Sequence, residues 1–89
     1  MVLHAKTSSK FDSEYKPFLR YNKKIAKKIR ELMDDILEHP TTGIGKPERL
    51  KYSAGNTWSR HIDDKNRLVY SIGDGYVLFR RCRGHYDDR

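Results

Sequence analysis

From Ile25 onward, apolar residues return at Ile29, Leu32, Met33, Ile36 and Leu37, the spacing of one helical face, with Asn22 as its cap and His39-Pro40 as its stop. Before it, Val2 to Thr7 has modest strand character. Ser9, three residues ahead of Asp12, is the expected cap of a first helix starting near Lys10. Pro17 lies beyond the first turn of that helix, so the helix either kinks there or begins within a turn of the proline. After a loop from Thr41 to Glu48 the period changes from 3.6 to 2, and turn signals stand at Gly55-Asn56, Asp63-Asp64 and Gly73-Asp74-Gly75. Three strands fit this frame: Thr57 to Ile62, Arg67 to Ile72 and Tyr76 to Arg83, with Leu50 to Tyr52 extended ahead of them. Short connections make neighbouring strands antiparallel, so the pattern reads as an α+β layer, helices on one face of a sheet.

Composition sharpens this picture in two ways. The chain has 89 residues, 36% of them hydrophobic and 35% charged, so it reads as one domain, residues 1–89, with a single core. Six Tyr, three Phe and one Trp supply burial that the aliphatic residues do not, and they argue against disorder. The formal charge of +7 favours an anionic partner: nucleic acid, anionic lipid or an acidic protein segment. No apolar run approaches 18 residues and Met1 to Lys10 lacks the apolar stretch of a signal peptide, which makes a membrane the weakest choice and a cytoplasmic protein the expectation. Cys82 is the one cysteine, too few for a disulfide, and no histidine lies at metal-site spacing from a second ligand, so neither a metal nor a cofactor is expected.

Within the second helix, Lys23, Lys24, Lys27, Lys28 and Arg30 precede Asp34, Asp35 and Glu38, an order that opposes the helix dipole at about a few tenths of a kcal/mol per charge. This is either a solvated face or a stripe that meets phosphates. Cleavage of RNA by its own 2′-hydroxyl needs a base, an acid and a cation beside the phosphate. Glu48, in the stretch Gly43-Ile44-Gly45-Lys46-Pro47-Glu48, Arg67 at a strand start and His85 beyond the last strand provide one of each. The glycines would let the backbone approach a ligand, and Pro47 would stiffen the carboxylate's position. The alternative for each residue is ordinary: Glu48 a surface charge, Arg67 a partner of Asp63 or Asp64, His85 inert. Trp58, sharing a strand face with Arg60 and Ile62, is expected in the core with its ring edge at the sheet rim, and Cys82 as buried filler.

The run Gly43-Ile44-Gly45-Lys46-Pro47-Glu48-Arg49-Leu50-Lys51, then Trp58-Ser59-Arg60, Asn66-Arg67-Leu68-Val69-Tyr70 and His85-Tyr86 resembles the YoeB/Txe family of toxins in residue, order and spacing. The resemblance implies a RelE-like fold, two N-terminal helices on a mainly antiparallel four-stranded sheet. It implies a metal-independent, ribosome-dependent endoribonuclease that cuts mRNA in the ribosomal A site and is neutralised by a YefM-like antitoxin; it also admits a homodimer. By position Glu48 matches the general base, Arg67 the phosphate stabiliser and His85 the general acid, while Lys51, Arg60, His61, Arg81, Arg83 and Tyr86 become candidate RNA contacts. Arg81 and Arg83 share parity with His85, which a regular strand would turn into one phosphate track. Three features depart from the family pattern: His61 in place of a second arginine, Arg49 in place of a proline, and Asp87-Asp88-Arg89 after the tyrosine. The rival readings are a ParE-like toxin that poisons gyrase and an RNA-binding module without catalysis.

Overall fold

In the computed structural model, which describes residues 2–51, 53 and 55–84, the chain runs β1 (His4–Thr7), α1 (Ser9–Tyr21), α2 (Lys23–Glu38), β2 (Glu48–Arg49), β3 (Thr57–His61), β4 (Arg67–Ile72) and β5 (Tyr76–Arg81). The cap of α1 is Ser8, one residue before the serine expected from sequence: its hydroxyl accepts from the Phe11 amide at 3.0 Å. The same Oγ donates to the Arg80 carbonyl at 2.9 Å, so the cap is chosen by what it also reaches on β5. Pro17 is accommodated inside α1, because both Pro17 and Ser13, whose carbonyl loses its helical partner, are exposed. Asn22 closes α1 and opens α2 at once. Its amide donates to the Phe18 carbonyl, and its Oδ1 accepts from the Ile25 amide at 3.2 Å.

The strands form one five-stranded sheet in the order β1-β5-β4-β3-β2. Three pairings are antiparallel as expected, but β1 joins the edge parallel to β5, with His4 opposite Tyr76 and Thr7 opposite Phe79. Strand character is expected for this segment, but short-connection reasoning does not place it in the sheet, since its partner lies at the far end of the chain. The extended stretch expected at Leu50 to Tyr52 falls instead at Glu48–Arg49, and Tyr52 is outside the described residues.

Helices α1 and α2 cover one face of the sheet. Phe11, Ile29, Leu32 and Ile36 pack there on Ile62, Leu68, Tyr70, Val77 and Phe79, with Trp58 half-buried beside them and its Nε1 donating to Asn56 at 2.7 Å. Cys82 is fully buried in this core, where burial pushes its thiol up to about 12 and leaves it protonated and inert near neutral pH. Among the described residues the opposite face carries no helix.

Candidate functional site

Strand register decides what shares the uncovered face. Glu48 pairs with Ser59, Ser59 with Val69 and Val69 with Arg81, so one row crosses four strands from β2 to β5. A second row, one pleat repeat away, pairs His61 with Arg67. With strands about 4.8 Å apart and a rise of about 3.3 Å per residue, the Cα atoms of Glu48 and Arg67 lie roughly 12 Å apart on the same face. Side chains of this length can approach one another across that distance.

Glu48 is exposed and has no ion-pair partner among the described residues. Arg67 is half-buried, and its Nη1 donates to the carbonyls of Asp63 and Asn66. Those bonds fix the guanidinium plane, while Nε and Nη2 keep no acceptor among the described residues. The Asp63 carboxylate does not pair with it; it accepts instead from the amides of Lys65 and Asn66 and holds the β3–β4 turn. Burial pushes that carboxyl up, but these bonds, the Asn66 side chain and the Arg67 charge together hold it below its ordinary value. The Arg67 amide donates to the Gly84 carbonyl at 3.0 Å, and the Gly84 amide to Asn66 Oδ1 at 2.9 Å, which ties the residue before His85 to the start of β4. His85 and Tyr86 themselves lie outside the described residues.

Of the expected RNA contacts, Lys51, His61 and Arg83 are exposed. Arg83 lies past the end of β5, so the regular strand expected to carry Arg81, Arg83 and His85 stops at Arg81, and His85 lies outside the described residues. Arg81 is half-buried and its Nη2 donates to Glu14 of α1 at 3.3 Å. Arg60 is a correction of a different order. It is completely buried, and its five N–H groups are all committed: Nε to Tyr70 Oη, Nη1 to Asp35 Oδ2 and the Ile44 carbonyl, Nη2 to the carbonyls of His39 and Thr42. No donor is left for RNA.

Arg60 therefore builds the site without touching it. The loop after α2 has no regular structure to satisfy its carbonyls, so one guanidinium does it, and Tyr70 Oη adds a bond to the Pro40 carbonyl at 2.7 Å. Asp35 supplies the countercharge. Burial pushes its carboxyl up, but the Arg60 hydrogen bond, the Ile44 amide and the charges of Arg60 and His39 prevail and hold it below the usual 3.8. The glycines of the loop serve this clamp rather than a ligand. At Gly43, with φ of 114°, a Cβ would sit 2.1 Å from Asp35 Oδ2; at Gly45, with φ of 80°, it would sit 2.7 Å from Leu32. The Gly45 carbonyl then accepts from the His61 amide at 2.7 Å, which delivers the chain to β2 and places Glu48 opposite Ser59. The only hint in the sequence was an arginine at a strand position between core-facing Trp58 and Ile62.

A cleft of about 500 Å³ opens on the same uncovered face, lined by Ser8, Lys10, Ser53, Thr57, Val69, Leu78, Arg80 and Arg81. No group of three or more metal-ligating side chains occurs among the described residues.

Comparison with known proteins adds a family to this geometry. The family model described as a YoeB-like toxin of a bacterial type II toxin-antitoxin system matches residues 7–86. Toxin YoeB of Escherichia coli is 46% identical over 65 residues, which cover 73% of this chain and 77% of that protein. The YoeB dimer of Staphylococcus aureus superposes with a TM-score of 0.85 at 38% identity, covering 97% of this chain and all of the other. The toxin in the YoeB-YefM complex from the same organism gives 0.84 with the same identity and coverage.

Proposed function

Because the chain belongs to the YoeB-like toxins of bacterial type II toxin-antitoxin systems, we propose that it is an endoribonuclease that cuts mRNA in the ribosomal A site and so stops translation. The observation that carries the reading is the shared face: Glu48 and Arg67 stand on the side of the sheet that, among the described residues, no helix covers, in rows one pleat apart.

In this reading Glu48 takes the proton of the 2′-hydroxyl, and the 2′-oxygen attacks the adjacent phosphorus. Negative charge grows on the non-bridging oxygens, where the open edge of Arg67 stabilises it. The 5′-oxygen leaves with a proton from His85. The products are a 2′,3′-cyclic phosphate, which water opens to a 3′-phosphate, and a 5′-hydroxyl end. No step calls for a metal. Lys51, His61, Arg83 and Tyr86 orient the strand. Rigid preorganisation matters more here than nucleophile strength, which gives the fixed Arg67 plane and the clamped loop before Glu48 their use.

The partners follow from the same reading: a programmed ribosome, a YefM-like antitoxin as in the S. aureus complex, and a second copy of the chain as in the S. aureus dimer. The site of action is the cytoplasm. Among the described residues no helix is long and apolar enough to cross a membrane.

Primer extension on a defined mRNA tests the proposal, using the wild type, Glu48→Ala and His85→Ala with and without programmed ribosomes. Cuts at the A-site codon should require ribosomes, and each variant should cut about 10²- to 10⁴-fold more slowly. Ribosome binding by the wild type without any cleavage would leave an RNA-binding module and end the nuclease reading.

A further inference from the structure

The cleft beside the catalytic row has no part in the acid–base set, yet its composition is specific. Its floor is Val69 and Leu78, its sides carry the hydroxyls of Ser8 and Thr57, and three cations, Lys10, Arg80 and Arg81, stand around it. Arg81 is tied to Glu14. Lys10 and Arg80 are exposed, and no carboxylate pairs with either among the described residues. Two unneutralised cations over a small apolar floor suit a ligand with an anionic group and a flat, weakly polar body, the description of one nucleotide.

Position singles out which nucleotide. Val69 belongs both to the cleft and to the row Glu48–Ser59–Val69–Arg81. The cleft therefore begins two strands from Glu48, at about 10 Å, on the face where the scissile phosphate would lie. A single strand running over Arg67 and Glu48 enters it with the neighbouring residue.

We propose that this cleft seats the nucleotide next to the cut, with its phosphate on Lys10 and Arg80 and its sugar and base against Leu78 and Val69. The inference rests on the nuclease reading for the direction of the strand, and it adds two phosphate contacts, Lys10 and Arg80, to those expected from sequence. Arg80 rather than Arg81 becomes the working cation of β5. The Ser8 bond to the Arg80 carbonyl holds the backbone from which that side chain projects.

A coupling experiment on intact protein tests it through binding, without needing cleavage. Ribosomes are programmed with an mRNA carrying a 2′-O-methyl group at the cut position, and each flanking phosphate is replaced in turn by a neutral methylphosphonate. The wild type should lose about tenfold in affinity at one of these phosphates. A Lys10→Ala/Arg80→Ala variant should start about tenfold weaker and lose nothing further at that same phosphate. Because both side chains are exposed, its melting temperature should match the wild type. Additive losses, or no sensitivity at any flanking phosphate, would overturn the proposal. Wild-type binding with the expected coupling but no cleavage of an unmodified message would instead sink the nuclease reading and leave the cleft standing.

Discussion

Arg60 shows how one residue can govern a site from which it is hidden. Its guanidinium meets Asp35, Tyr70 and three loop carbonyls with no exposure at all. Removing it would strand a carboxylate and several acceptors together. Arg60→Met should therefore cost about 3 to 5 kcal/mol in urea unfolding, the range for breaking one side of a buried pair. Lysine will not substitute, because a point charge cannot fill five directions. The pH dependence follows from Asp35. Its carboxyl lies below 3.8 in the folded protein, so its stabilisation is complete above the unfolded value and drains away as pH falls through the folded one. Acid titration of unfolding should show a steep loss of stability below about pH 4 in the wild type and a shallower one in Asp35→Asn.

Between residues and the whole lie the joints of the elements. Asn22 caps two helices with one side chain and one amide, so Asn22→Ala should lower stability by about 1 to 2 kcal/mol, read as a shift of the urea midpoint at unchanged m-value. Helix α2 was fully legible in the sequence because its signals are local: Asn22 at one end, His39-Pro40 at the other and a clean 3.6 period between. The three long strands were legible for the same reason, within one or two residues at their ends. What was not legible was non-local. Ser8 rather than Ser9 caps α1 because of Arg80, and β1 finds its place only through β5. Helix α1 keeps Pro17 because Pro17 and Ser13, whose carbonyl it leaves without a helical partner, face solvent, a fact of packing and not of propensity.

Across the whole molecule, the candidate site was readable as residue types and not as geometry. Glu48 and Arg67 meet on one face by register, which depends on β2 starting two residues earlier than its pattern suggested. Arg60 is expected among the RNA contacts through the family resemblance, although its strand parity already sets it beside Trp58 and Ile62; the carbonyls of the preceding loop explain its burial. The cleft of Lys10 and Arg80 draws on both ends of the fold and leaves no mark in any one segment.

The parallel edge has a consequence in time. Ser8 and Arg80, which bond across β1 and β5, are 72 positions apart, and no local contact can stand in for that closure. As the chain is synthesised, α1 and α2 can pair early, but β1 waits without a partner until residues beyond Arg81 have been added. Nascent chains halted before Tyr76 should stay sensitive to protease, whereas those completed and freed should resist it. A protein proposed to disable ribosomes thus carries a delay in its own topology: the ribosome still building it faces only an unfinished copy, and an antitoxin made at the same time gains that interval.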